Sequence, residues 1–171
     1  MTDDYLSLSD RDLLAQCAVE TFRVSGPGGQ HRNRRDTAVR IRHRSTGVVA
    51  QAYERRSQFL NRRLALKRLR ARIALDVRRP PDSLETYQPS PLLLLLVRAE
   101  GGRGIGVRNP SYWPAVRELL DLFVAMDCSV SESAALLGVS TGALSKALLA
   151  NPALVRTVNA LRAERRLRAL R

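Results

Sequence analysis

Gln30 follows two glycines in the run SGPGGQHRNRR, residues 25–35, and a histidine and three arginines follow it within five residues. Gly26, Gly28 and Gly29 permit backbone conformations that a β-carbon would oppose, and Pro27 fixes its own φ in the same turn. Such a loop presents main-chain groups and one neutral amide, with no carboxylate at its tip. A glycine-rich turn after a strand also invites comparison with phosphate cradles. Neither GxxxxGK[ST] nor a GxGxxG that opens a helix occurs, so a nucleotide site of those kinds is not expected.

The charge around the loop narrows the partner. The 171 residues carry a net charge of +13. Residues 23–79 hold 17 basic and 3 acidic side chains, and residues 156–171 hold 6 and 1, so these two blocks supply more than the whole excess. A polyanion is the expected partner, nucleic acid ahead of a membrane surface. Arginine far outnumbers lysine, which suits bidentate phosphate contacts but equally suits a GC-rich genome.

Compartment signals are mostly negative. Cys17 and Cys128 stand far apart, without a CxxC or a disulfide framework, as expected in a reducing cytosol. The acidic, polar MTDDYLSLSD is unlike a signal or transit peptide. The apolar run LLLLLV at 92–97 is too short to span a bilayer. The expectation is a soluble, cytoplasmic protein without membrane association, cofactor or bound metal.

The elements that must hold the loop can be read on either side of it. Ser9 and Asp12 resemble a capping box, with Leu13, Leu14 and Cys17 inward. AVETF (18–22) alternates as a strand entering the loop. TAVRIRH (37–43) and GVVAQAY (47–53), joined by RSTG, read as a hairpin. From Ser57 to about Val77 nothing breaks a helix, and Phe59, Leu66, Leu69 and Ile73 recur at helical spacing as its inner face. Arg62, Arg63, Lys67 and Arg70 fall outside that stripe.

The stretch TFRVSGPGGQHRNRRDTAVRIRHRSTGVV, continued through RSQ and Asn61, resembles the catalytic GGQ domain of class I peptide chain release factors and codon-independent ribosome-rescue hydrolases. The resemblance spans about residues 13–77, under half the chain. It implies that Gly28, Gly29 and Gln30 enter the ribosomal peptidyl-transferase centre and promote hydrolysis of the ester between nascent peptide and tRNA. It also implies that the Gln30 backbone N–H stabilises the oxyanion, while its side chain excludes nucleophiles larger than water. His31 has two readings, a base or a phosphate or ribose contact, and the second is preferred. His43, in strand pattern, is expected to be structural.

Large-subunit rRNA and the P-site peptidyl-tRNA are the implied partners. Arg23, His31, Arg32, Asn33, Arg34, Arg35, Arg56, Arg62, Arg63, Lys67 and Arg70 are the candidate RNA contacts. The chain departs from the family pattern at Val24, Arg32 and Arg35. It also holds no counterpart of the domains and tripeptide motif with which decoding factors read stop codons, so codon-independent rescue is the expectation.

The expected fold class is α+β: a GGQ domain at 1–79, with a short sheet packed on a long basic helix, a Pro/Gly-rich linker at 80–110, and a helical domain at 111–171. Within the last, Ala134, Gly138 and Leu144 have the spacing of a helix-turn-helix. Its second helix, STGALSKALL, offers Lys146 alone as a strong polar contact, so packing is favoured over DNA reading. A nucleic-acid-binding regulator is the alternative function. A final helix is expected to run to the C-terminus with Arg162, Arg165, Arg166 and Arg168 outward, as a second ribosome contact reaching the mRNA channel of the small subunit.

Overall fold

The computed structural model describes residues 5–23, 37–98 and 105–171. The chain is mixed α+β, and it divides into two compact units, Met1–Ile73 and Ala74–Arg171.

In the first unit, α1 (Asp10–Ala15) starts at Ser9, whose hydroxyl accepts from the Asp12 N–H, as the capping pair predicts. β1 (Cys17–Phe22), β2 (Ala38–His43) and β3 (Val49–Ala52) form an antiparallel meander in that order. In β2 the alternation turns Val39, Ile41 and His43 inward and leaves Arg40 and Arg42 exposed. Gly47 closes the hairpin at φ +70°, in the left-handed region where a glycine carries no steric penalty. Its N–H donates to the His43 carbonyl.

α2 (Gln58–Asp76) occupies the stretch expected to be helical. Its buried arc is Asn61, Ala65, Leu66, Leu69 and Ile73. Phe59 does not belong to it. This ring is 67% exposed and its neighbour Leu60 is 46% exposed. The spacing argument placed Phe59 inside, but it lies before Asn61, where the buried arc begins. The arginines of α2 also serve the sheet. Arg68 donates to the Gln51 carbonyl and Arg72 to that of Val49. These carbonyls are two residues apart on the edge strand, so side chains of the helix satisfy acceptors that an edge would otherwise leave open.

In the second unit α3 (Pro91–Val97) stands inside the segment read as linker. Ser90 caps it by accepting from the Leu93 N–H, Pro91 takes the first turn, and Leu93, Leu96 and Val97 are buried. Glu118 ties down the approach to this helix, accepting from the Tyr87 hydroxyl and from the Ser90 N–H. Glu118 comes from α4 (Tyr112–Ala125), the most deeply buried helix of the unit. Asp121, also on α4, is buried. It accepts from Arg78 at 3.1 Å and from the Arg79 N–H at 2.9 Å, so the charge is paired rather than orphaned.

α5 (Val130–Leu137) and α6 (Thr141–Leu148) meet across a turn in which Gly138 adopts φ +62°. Ala134 and Leu144 are buried, at the positions the spacing singled out. α7 (Pro152–Glu164) buries Leu154 and Val158. It does not reach the C-terminus. Arg165 caps it, Arg166 turns left-handed at φ +57°, and the chain doubles back. Asn159 fixes the return, donating to the Leu170 carbonyl and accepting from the Leu170 N–H.

Candidate functional site

The segment that carries Gly28, Gly29, Gln30, His31, Arg32, Asn33, Arg34 and Arg35 lies outside the described residues. What the structure gives is the frame that begins and ends it. β1 and β2 are in antiparallel register from Cys17 opposite His43 to Phe22 opposite Ala38. The two strand ends flanking residues 23–37 are therefore paired neighbours. Opposite-sign side chains reinforce this ladder, with Glu20 facing Arg40 at 3.9 Å, both largely exposed. Arg40 also lies over the Phe22 ring at 5.1 Å. Arg23, the last described residue on that side, is exposed.

Asn61 anchors the other side. It is fully buried, and every polar group of its amide is used. Nδ2 donates to the Thr37 carbonyl at 2.7 Å and to the Arg55 carbonyl at 2.9 Å, and Oδ1 accepts from the Arg55 N–H at 2.9 Å. One side chain thus joins the start of α2 to the residue entering β2 and to the segment after β3. The sequence signalled this only as a motif position. An amide on the inner arc of an otherwise apolar face is the sign that its partners are main-chain groups.

His43 belongs to the opposite end of the ladder, about 17 Å along the strand from Ala38 at ordinary strand rise. It is fully buried, with Nδ1 2.8 Å from the Thr46 hydroxyl and Nε2 3.2 Å from Gln16 Oε1. Burial lowers its pKa and holds it neutral. Nε2–H then donates to Gln16, and Nδ1 accepts. The Tyr5 ring meets the imidazole edge-on at 4.4 Å. This is a structural histidine, as the strand pattern predicts.

The basic side chains of α2 divide by occupation. Arg70 is committed within the fold, donating to the Leu6 and Leu8 carbonyls and pairing with Asp10 at 2.9 Å. Arg68 reaches Glu54 as well as the sheet edge, and this bond holds the Glu54 carboxyl below its usual range. Arg56, Arg62, Arg63 and Lys67 are exposed. Those four form the outward cationic set of the helix and its approach.

The C-terminal arginines divide in the same way, against the expectation of four outward charges. Arg162 is turned inward, donating to the Cys128 carbonyl at 2.6 Å and to the Arg168 carbonyl at 2.7 Å. Arg165 donates to the Leu161 carbonyl and lies 3.9 Å from the Asp127 carboxylate. Arg166 and Arg168 are exposed. The shared face anticipated for Arg162, Arg165 and Arg166 is lost because the helix ends at Glu164.

The RF-1 domain family matches residues 12–87, a span that contains the loop, the sheet and α2. Among curated proteins, "Peptide chain release factor 1" of Mycoplasma pneumoniae is 52% identical over 59 residues, covering 34% of this chain and 16% of its own. "Peptide chain release factor 1-like, mitochondrial" of Rattus norvegicus is 46% identical over 72 residues, 42% of this chain and 18% of its own. "Peptide chain release factor 2" of Variovorax paradoxus is 52% identical over 59 residues, 34% and 16%. The chain spans under a fifth of the length of these relatives. Residues 12–87 are thus similar to the RF-1 domain, and the relatives that share this stretch are peptide chain release factors.

Proposed function

We propose that the chain is a ribosome-dependent peptidyl-tRNA hydrolase that acts without reading a stop codon. The observation that carries this reading is Gly28-Gly29-Gln30, intact within the matched span and set on a frame whose strand ends are paired and pinned by Asn61. In the proposed reaction water attacks the ester carbonyl joining the peptide to the tRNA 3′ end. The backbone N–H of Gln30 hydrogen-bonds the oxyanion, and the ribose oxygen leaves with a proton. One donor of this kind supplies on the order of 10²–10³ in rate. Arg56, Arg62, Arg63 and Lys67 hold the domain to rRNA and tRNA phosphates without selecting sequence.

The helical unit, on this reading, presents the C-terminal basic segment to ribosomal RNA or to the small-subunit mRNA channel. Its α5–α6 pair has the geometry that favours a DNA-binding regulator as second reading, with Gly138 left-handed in the turn. Against it, the exposed residues of α6 are Thr141, Gly142 and Lys146, which give little reach for base edges.

The test is peptidyl-tRNA hydrolysis on ribosomes whose mRNA channel is empty, truncated or filled with a stop codon in place. Release from the empty or truncated complexes is expected. Gln30→Ala and Gly28→Ala are expected to abolish it while ribosome binding stays nearly intact. Release confined to stop-codon complexes would overturn codon independence, and sequence-specific DNA binding that survives both substitutions would promote the regulator.

A further inference from the structure

The first turn of α2 carries a feature that neither the fold nor the hydrolysis chemistry uses. Phe59 is 67% exposed and Leu60 46%, side by side on the surface. The Arg63 guanidinium lies over the Phe59 ring, 5.9 Å from its centroid, and Arg56 and Arg62 are exposed close by in the chain. No acidic residue occurs between positions 57 and 75. Asn61, two residues on, holds Thr37, where the chain re-enters β2 after the loop segment. An aromatic ring kept in water, with one guanidinium over it and two more exposed arginines close in the chain, suits a ligand that is both anionic and flat-faced.

We propose that Phe59 is a stacking platform for an unpaired RNA base, with Arg56, Arg62 and Arg63 taking the phosphates on either side. The proposal rests on the RNA-directed reading above and names the contact that reading lacks. An unpaired nucleotide matches the patch on both counts, since every base offers a π-face and every linkage a negative charge. Duplex RNA matches poorly, because its bases are stacked away and only its phosphates are offered. An acidic peptide would satisfy the arginines and leave the ring without a flat partner.

The experiment measures equilibrium binding of the full chain to a short single-stranded oligoadenylate, an abasic oligomer of the same length, and an RNA duplex, without ribosomes. The wild type is expected to prefer the oligoadenylate over the abasic strand. Phe59→Ala is expected to weaken oligoadenylate binding about tenfold or more while leaving the abasic strand and the duplex unchanged. Phe59→Tyr should keep the preference, and Phe59→Leu, apolar but without a π-face, should lose it. Because Phe59 is exposed, these variants fold. An equal loss on all three ligands, no loss, or full retention by Phe59→Leu would overturn the stacking proposal. Hydrolysis plays no part in this assay, so a chain that stacks a base yet releases no peptide would refute the catalytic reading alone.

Discussion

Two neighbouring side chains at the start of α2 are used in opposite directions, and their chemistry explains why. Asn61 has two donors and a two-lone-pair acceptor, and all of its bonds run to main-chain groups. Phe59 has no polar group to satisfy, and among the described residues it is the Arg63 guanidinium that lies over its ring. Removing the amide leaves the Arg55 N–H and the Thr37 carbonyl without their partner, at up to about 1–3 kcal/mol for each group that water does not recover. Asn61→Ala is therefore expected to destabilise the first unit by about 2–4 kcal/mol, below the simple sum because the chain relaxes. Trp113, the one tryptophan, belongs to the second unit, so its fluorescence is a poor reporter. Amide exchange of β1 and β2 is the suitable measurement, and unchanged protection there would assign the loop frame to the strand ladder alone.

At the scale of elements, the local signals that held are those with a stereochemical cause. Ser9 caps α1 as its spacing to Asp12 predicts. The structure shows the same device, a side chain accepting from a main-chain N–H two or three residues on, at Ser90, Ser129, Ser140 and Asn151, positions not singled out from the sequence. The hairpin and the Gly138 turn follow from glycine. α3 was obscured because prolines surround it, although Ser90-Pro91 is itself a helix start. The side-chain frame around Asn61 was legible only as a motif, since its partners come from distant segments. The C-terminal helix was overextended for a different reason. Residues 165–171 are arginine, leucine and alanine, all good helix formers, and propensity carries no information about a side chain that captures the returning chain. Asn159 does so with both halves of its amide. Asn159→Ala is expected to release this return, with loss of exchange protection at Leu170 and about 1 kcal/mol of stability. Protection that persisted would place the burden on Arg162 and its bonds to Cys128 and Arg168.

Across the whole molecule, charge and chemistry are separable. Of the net +13, residues 23–79 supply +14, the rest of the chain being close to neutral in sum. Yet the structure withdraws several of these charges from any partner: Arg68 and Arg72 cover the sheet edge, and Arg70 holds the Leu6 and Leu8 carbonyls. Binding to a polyanion should therefore follow Arg62, Arg63 and Lys67, which are exposed, rather than the total count. Contacts to single-stranded phosphates change log K by roughly 0.7 per tenfold change in salt for each charge neutralised. Replacing Arg62, Arg63 and Lys67 with Ala is expected to flatten the salt dependence of ribosome binding by about 2 in that slope, with the thermal melt unchanged. Replacing Arg68, Arg70 and Arg72 should do the reverse, lowering the melting temperature of the first unit more than it alters the slope. Equal slopes for the two triple variants would mean that the exposed set is a solvated face, and that the loop arginines carry the contact to RNA.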